Sequence, residues 1–169
     1  NLSHSLDSGT YINCTITVSD SSGNRGFLNI NPFSIDNTKP TVQSVSPANS
    51  LEDISLGSPI GVRFSEPMNT STVTVNTTNT TCNGYGIQVS TDNFATDTNC
   101  VRMTPGDPVS SDNITFKVDP FDNLSASTQY FFKIKGSIQD LAGNTLGSDW
   151  MASHGFKTFW SKAGLKLWL

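Results

Sequence analysis

The chain has 169 residues, a formal net charge of −4 and only 14% charged side chains, against roughly 25% in an average soluble domain. An acidic balance without a basic stripe argues against a nucleic-acid partner, and no apolar run reaches membrane-spanning length. Thr, Ser and Asn replace the charges and disfavour helices, because their side chains compete for backbone hydrogen bonds, while ten Phe, three Trp and three Tyr supply the volume of one core.

In chain order, "LDSGTY" (Leu6 to Tyr11) leads into an alternating strand "INCTITVS", a turn "DSSGN" and a second strand "FLNINPFSI" ending at Ile35. Cys14 is expected to be buried in that first strand as a small hydrophobe. Residues 37–40, closing the segment "DNTKP", read as a linker. Short strands then follow over Thr41–Pro47, Pro59–Asn69, Thr72–Thr78, Tyr85–Ser90, Cys100–Pro105 and Asn113–Pro120, separated by Gly, Pro and Asn turns. Ile60, Val62 and Phe64 alternate inward, as do Ile114, Phe116 and Val118. Cys82 and Cys100 bracket a strand–loop–strand segment. They read either as a disulfide clipping a loop or as two reduced thiols, and the strand-rich, charge-poor composition of an exported protein favours the disulfide. No C-x-x-C or His/Cys cluster supports zinc.

The last part repeats the first. "LSASTQY" (Leu124 to Tyr130) precedes "FFKIKGSIQDLAGN", which ends at Asn144, and "SHGFKTF" (Ser153 to Phe159) follows. Both ends read Leu, small polar residues, Thr, Tyr, an alternating strand, D-x-x-G-N and a phenylalanine-bearing strand. Tyr11 and Tyr130 each suit a tyrosine corner, whose hydroxyl bonds to upstream backbone. In the D-x-x-G-N turns, Asp20 and Asp140 hold backbone N–H groups, glycines such as Gly143 take a positive φ, and Asn24 and Asn144 complete the bend. The expected fold is therefore all-β: an immunoglobulin-like antiparallel β-sandwich over residues 41–159, preceded in residues 1–36 by the terminal hairpin of another such repeat. An isolated two-stranded hairpin is marginal in water. Residues 1–36 are thus expected to pack on the rest, to self-associate or to belong to a larger parent. The tail, residues 160–169, is cationic and apolar and reads as a linker or remnant.

These motifs resemble a known family. "PTVQSVSPANS", "SPIGVRFSEPMNTSTV", "LSASTQYFFKIKGSIQDLAGNTL" and "FKTF" together resemble the bacterial Ig-like domain of the type first associated with surface-layer proteins, over about Pro40 to Phe159. The cysteine-bracketed segment is similar to a loop in such domains of spirochaete surface proteins. The resemblance implies an exported, tandemly arrayed, non-catalytic module at the bacterial cell surface, with neighbouring Ig-like repeats as its partners. It identifies no ligand.

Catalytic candidates are few. His4 lies at the terminus and His154 at the start of a strand, no G-x-S-x-G surrounds a serine, and Glu52 and Glu66 are the only glutamates; no enzyme is expected. If the loop after the second strand and the loop between the last two share one end of the sandwich, Glu66, Asp140, Asn144 and Asp36 converge there. Four oxygen-bearing side chains suit calcium, although the better explanation is that Asp140 and Asn144 hold their turn and Glu66 caps another. Seven N-x-S/T sequons, at Asn1, Asn13, Asn69, Asn76, Asn79, Asn113 and Asn123, are what a Thr/Ser/Asn-rich sequence produces by chance. The functions that remain are a structural spacer, an adhesin binding a host protein or glycan through the Cys82–Cys100 loop, and an accessory domain of a secreted enzyme.

Overall fold

The computed structural model describes residues 5–160. The His4 and Asn1 readings and all of the tail beyond Trp160 lie outside the described residues. The chain divides into two compact units, Asn1–Thr38 and Lys39–Leu169. Among the described residues every regular element is a strand, and no helix there is long and apolar enough to cross a membrane.

The first unit is a two-stranded antiparallel ribbon in two stretches. β1 (Gly9–Tyr11) pairs with β4 (Phe33–Ile35), and β2 (Cys14–Ser19) pairs with β3 (Arg25–Ile30). Asn13 takes a positive φ of 57° where the stretches meet, a conformation Asn tolerates better than most residues. Opposed residues on a ribbon share a face. The pairs Cys14–Ile30, Ile16–Leu28 and Val18–Gly26 therefore put five apolar side chains on one side. Cys14 is half-buried rather than buried, because only a ribbon flanks it.

The second unit is an antiparallel β-sandwich. One sheet contains β5 (Val42–Ser46), β6 (Ile60–Phe64) and β8 (Thr115–Val118), in the order β5-β6-β8. The other is centred on β9 (Gln129–Ile134). β7 (Ile87–Ser90) lies on one edge of β9, and β10 (Trp150–Met151) and β11 (Phe156–Lys157) pair with it as well. Period-two alternation drives the packing: Ile60, Val62, Phe64, Phe116 and Val118 are buried from one sheet, and Ile87, Val89, Tyr130, Phe132, Ile134 and Phe156 from the other. Phe64 meets Phe116 edge-on at 5.8 Å, a favoured aromatic geometry.

Two expected strands are absent. Thr72–Thr78 and Cys100–Pro105 contain no strand, only bridges at Cys100 and Met103, yet Val73, Val75 and Met103 are buried. In the first segment the Asn76 amide donates to Asn79 and Thr81, and its carbonyl oxygen accepts from the Thr78 and Asn79 N–H groups. Local side-chain bonds there outcompete a ladder.

Candidate functional site

The D-x-x-G-N turn has the same geometry in both units, and in each unit the tyrosine hydroxyl bonds to upstream backbone, as acceptor in one and donor in the other. The Tyr130 hydroxyl accepts the Ser125 N–H at 2.8 Å, and the Tyr11 hydroxyl donates to the Asp7 carbonyl at 2.8 Å. In each unit the tyrosine stacks on the phenylalanine of the returning strand, Tyr130 on Phe156 and Tyr11 on Phe33. In the turn, the Asn144 N–H and side-chain amide each donate to one carboxylate oxygen of Asp140, both at 2.8 Å. Asn24 does the same to Asp20, at 2.9 and 2.7 Å. Gly143 and Gly23 take φ of 91° and 86°, values that favour glycine. These bonds, led by the Asn24 side chain, hold the Asp20 carboxyl below its ordinary range.

Within the second unit, Glu66 and Asp140 come together. Met68 bridges Asp140, the Asn69 N–H donates to the Gln139 carbonyl at 2.9 Å, and the Gln139 N–H donates to Thr72 Oγ1 at 3.1 Å. This stitching brings a carboxylate oxygen of half-buried Glu66 within 4.8 Å of one from buried Asp140. Asp36 belongs to the first unit, where its carboxylate accepts the Thr38 N–H at 2.9 Å.

The Cys82–Cys100 disulfide is formed, with Cα atoms 5.2 Å apart. The loop it closes is organised around Asp92, whose carboxylate accepts from Ser90 Oγ, the Thr96 N–H and hydroxyl, and the Asn99 amide. These bonds, Ser90 foremost, hold its carboxyl well below the usual range. Asn93 and Phe94 both have positive φ at the tip, and the Lys133 ammonium sits 4.1 Å from the Phe94 ring centroid. A depression of about 230 Å³ beside the loop, bordered by Gln88, Phe94, Lys133 and Lys135, is smaller than an ordinary ligand pocket.

A shallow depression of about 390 Å³ lies beside Leu51, Phe131 and His154. His154 Nδ1 is 3.0 Å from Ser153 Oγ, and Ser153 Oγ accepts from the Asn49 amide. No sequence motif marks Asn49, whose side-chain carbonyl oxygen accepts the His154 and Gly155 N–H groups and fixes the bend before β11. Thr158 is a further structural residue. That buried hydroxyl donates to the Ser125 carbonyl at 2.6 Å and accepts the Thr128 N–H, tying the tyrosine corner to the last strand. Its signal in the sequence is the threonine of "FKTF". Of the sequons, Asn76 is buried at 4% exposure, which leaves no room for a glycan. Trp160 is exposed.

A family model described as a bacterial Ig-like domain matches residues 36–158. Among solved structures, the chain is similar to the N-terminal part of the bacterial S-layer protein SbsC, at 19% identity over 72% of this chain and 24% of that one, with a TM-score of 0.47. It is also similar to domains 1-6 of surface layer protein SbsC, at 20% identity over 73% of this chain and 14% of that one, with a TM-score of 0.46. The chain thus spans a quarter or less of the length of these S-layer chains. No curated protein matches it.

Proposed function

The chain belongs to the bacterial Ig-like domain family, and from that premise we propose that it is a non-catalytic structural module of a bacterial cell-surface protein, spacing other parts of that protein from the envelope. The observation that carries this reading is the corner-and-turn unit built twice in one chain, with the same four hydrogen bonds closing each turn. Using one rigid supersecondary unit repeatedly is how extended arrays gain length. The Cys82–Cys100 bond supports an oxidising location outside the cytoplasm.

An antibody against the chain should label intact source cells without permeabilisation, and the chain should show no saturable binding on glycan and matrix-protein arrays. Labelling only after lysis overturns the location. Saturable binding lost in the Cys82→Ser/Cys100→Ser variant assigns the loop an adhesin role instead.

A further inference from the structure

The ribbon Cys14–Ile30 aligns without a gap on Ile134–Trp150, with the two D-x-x-G-N turns in register. Cys14 falls on Ile134, Val18 on Ile138, Asp20 on Asp140, Asn24 on Asn144 and Ile30 on Trp150. The pairing agrees: Cys14 lies opposite Ile30 and Ile134 opposite Trp150, while Ser19 lies opposite Arg25 and Gln139 opposite Thr145. Burial does not agree. Ile134 and Ile138 are fully buried, and Leu146 and Trp150 pack against the core that Ile60, Val62 and Phe116 of the β5-β6-β8 sheet help build. Val18 and Leu28, on the same side of the ribbon as Ile16, are 64% and 63% exposed.

We propose that the face made by Cys14, Ile16, Val18, Leu28 and Ile30 is one inner face of a second Ig-like sandwich. Its occupant is the opposing antiparallel sheet of that same repeat, a counterpart of β5-β6-β8, carried by the parent polypeptide upstream of this ribbon. Three observations choose this occupant. Of the matched positions in the second unit, Ile134, Gly136 and Ile138 are buried and Trp150 packs against the same core, while Ser148, the match of Leu28, is exposed. The apolar residues keep the period-two pattern of a half-buried strand while the opposite side carries Thr15, Thr17, Ser19, Arg25 and Asn29 with Phe27. The Tyr11–Phe33 stack already has the geometry of the buried Tyr130–Phe156 stack. Ile30 and Cys14 are smaller than Trp150 and Ile134, their matches in the second unit, and so call for larger side chains in the opposing sheet, since cores keep their volume. The proposal rests on the array reading above but not on where the protein resides.

Cys14, the free cysteine on this face, reports directly. In the full-length parent chain, N-ethylmaleimide should alkylate Cys14 at least about 100-fold more slowly than in the chain of 169 residues, because buried core sites react only through opening. Val18→Asp in the parent should restore fast alkylation while leaving the urea midpoint of the Lys39–Phe159 unit unchanged. Equal alkylation rates in the two chains overturn the proposal. So does a 169-residue chain that sediments as a dimer with Cys14 already protected, since a second copy would then be the occupant. Cell labelling leaves either result unchanged, so failure here is distinct from failure of the surface reading.

Discussion

Tyr130 stacks on Phe156 with ring centroids 5.4 Å apart and planes 17° from parallel, where β9 meets β11. Its hydroxyl is the acceptor for the Ser125 N–H, so one side chain joins the core to the loop before its own strand. Tyr130→Phe keeps the stack and removes the acceptor, and should destabilise by about 1 kcal/mol. Phe156→Ala removes a fully buried ring and should lose about 3–5 kcal/mol. Tyr11→Phe, at an exposed bond, should change stability by less than about 0.5 kcal/mol. Urea midpoints order the three, and equal losses for the two tyrosines would contradict the burial argument.

Asp140 is 1% exposed, and its carboxylate is the partner of two Asn144 donors. Asp140→Ala strands both and should destabilise by about 1–3 kcal/mol, more than Asp20→Ala in the exposed copy. The Asp20 turn closes by the same bonds, which need no cation, so chelator and millimolar calcium should give the same Tm. A rise in calcium that disappears in Glu66→Gln would instead give the Glu66–Asp140 pair to a metal ion.

The disulfide closes a loop at a sequence separation of 18. In the chain-entropy treatment such a loop contributes about 3 kcal/mol, by restricting the unfolded chain. Cys82→Ser/Cys100→Ser should lower the denaturation midpoint accordingly while leaving the β-sheet circular dichroism intact, since both cysteines lie outside β6, β8 and β9. A loss below about 1 kcal/mol would show that the Asp92 hydrogen bonds already order the loop unaided.

Three carboxylates of the second unit contribute to its acid response. The N–H groups of Thr115 and Ile114 hold Asp112 down to about 2. The Gly136 N–H and the Lys135 ammonium lower Asp149, and Ser90 and Thr96 lower Asp92. Each folded-state pKa lies below its ordinary 3.8. Their stabilisation is therefore complete above about pH 4 and is lost as pH falls toward about 2. Tm should hold steady in its dependence on these groups from pH 7 to 5 and drop below 4, less steeply in Asp112→Asn. A Tm that climbs between pH 4 and 2 would contradict this sign.

Much of the sandwich was legible because its cues are local. The alternation of Ile60, Val62 and Phe64 gives a buried strand face directly, and the spacing of Tyr130, Asp140 and Asn144 gives a corner and a turn. What was illegible depends on long-range partners. Nothing beside Asn49 in sequence indicates that it caps Gly155. Thr72–Thr78 alternates like a strand, but Asn76 diverts its hydrogen bonds. A carboxylate oxygen of Glu66 lies within 4.8 Å of one from Asp140, a proximity between loops distant in sequence that no local pattern encodes. Cys14 is half-buried rather than buried for the same long-range reason: the strand pattern is right, but a two-stranded ribbon alone does not cover it.

Gly155 is where the closing strand touches the centre of the second sheet. Its φ is +66°, and an added Cβ would lie 1.8 Å from the Tyr130 carbonyl oxygen and 2.8 Å from its carbon. Those neighbours are backbone of β9, so no side-chain rotation relieves the overlap. Gly143, at φ +91°, has nothing within 4 Å of the same added atom. The two glycines separate the effects: Gly143→Ala should show only the conformational term of about 1–2 kcal/mol. Gly155→Ala adds a backbone clash that must pry β11 from β9, and should lose more than about 4 kcal/mol, enough to abolish folding of a marginally stable domain. The Ser50 N–H donates to the Gly155 carbonyl and Asn49 accepts its N–H, so the segment before β6 should lose amide protection with it. Equal midpoints for the two alanine variants would mean that β9 and β11 can separate at this point without unfolding the sandwich.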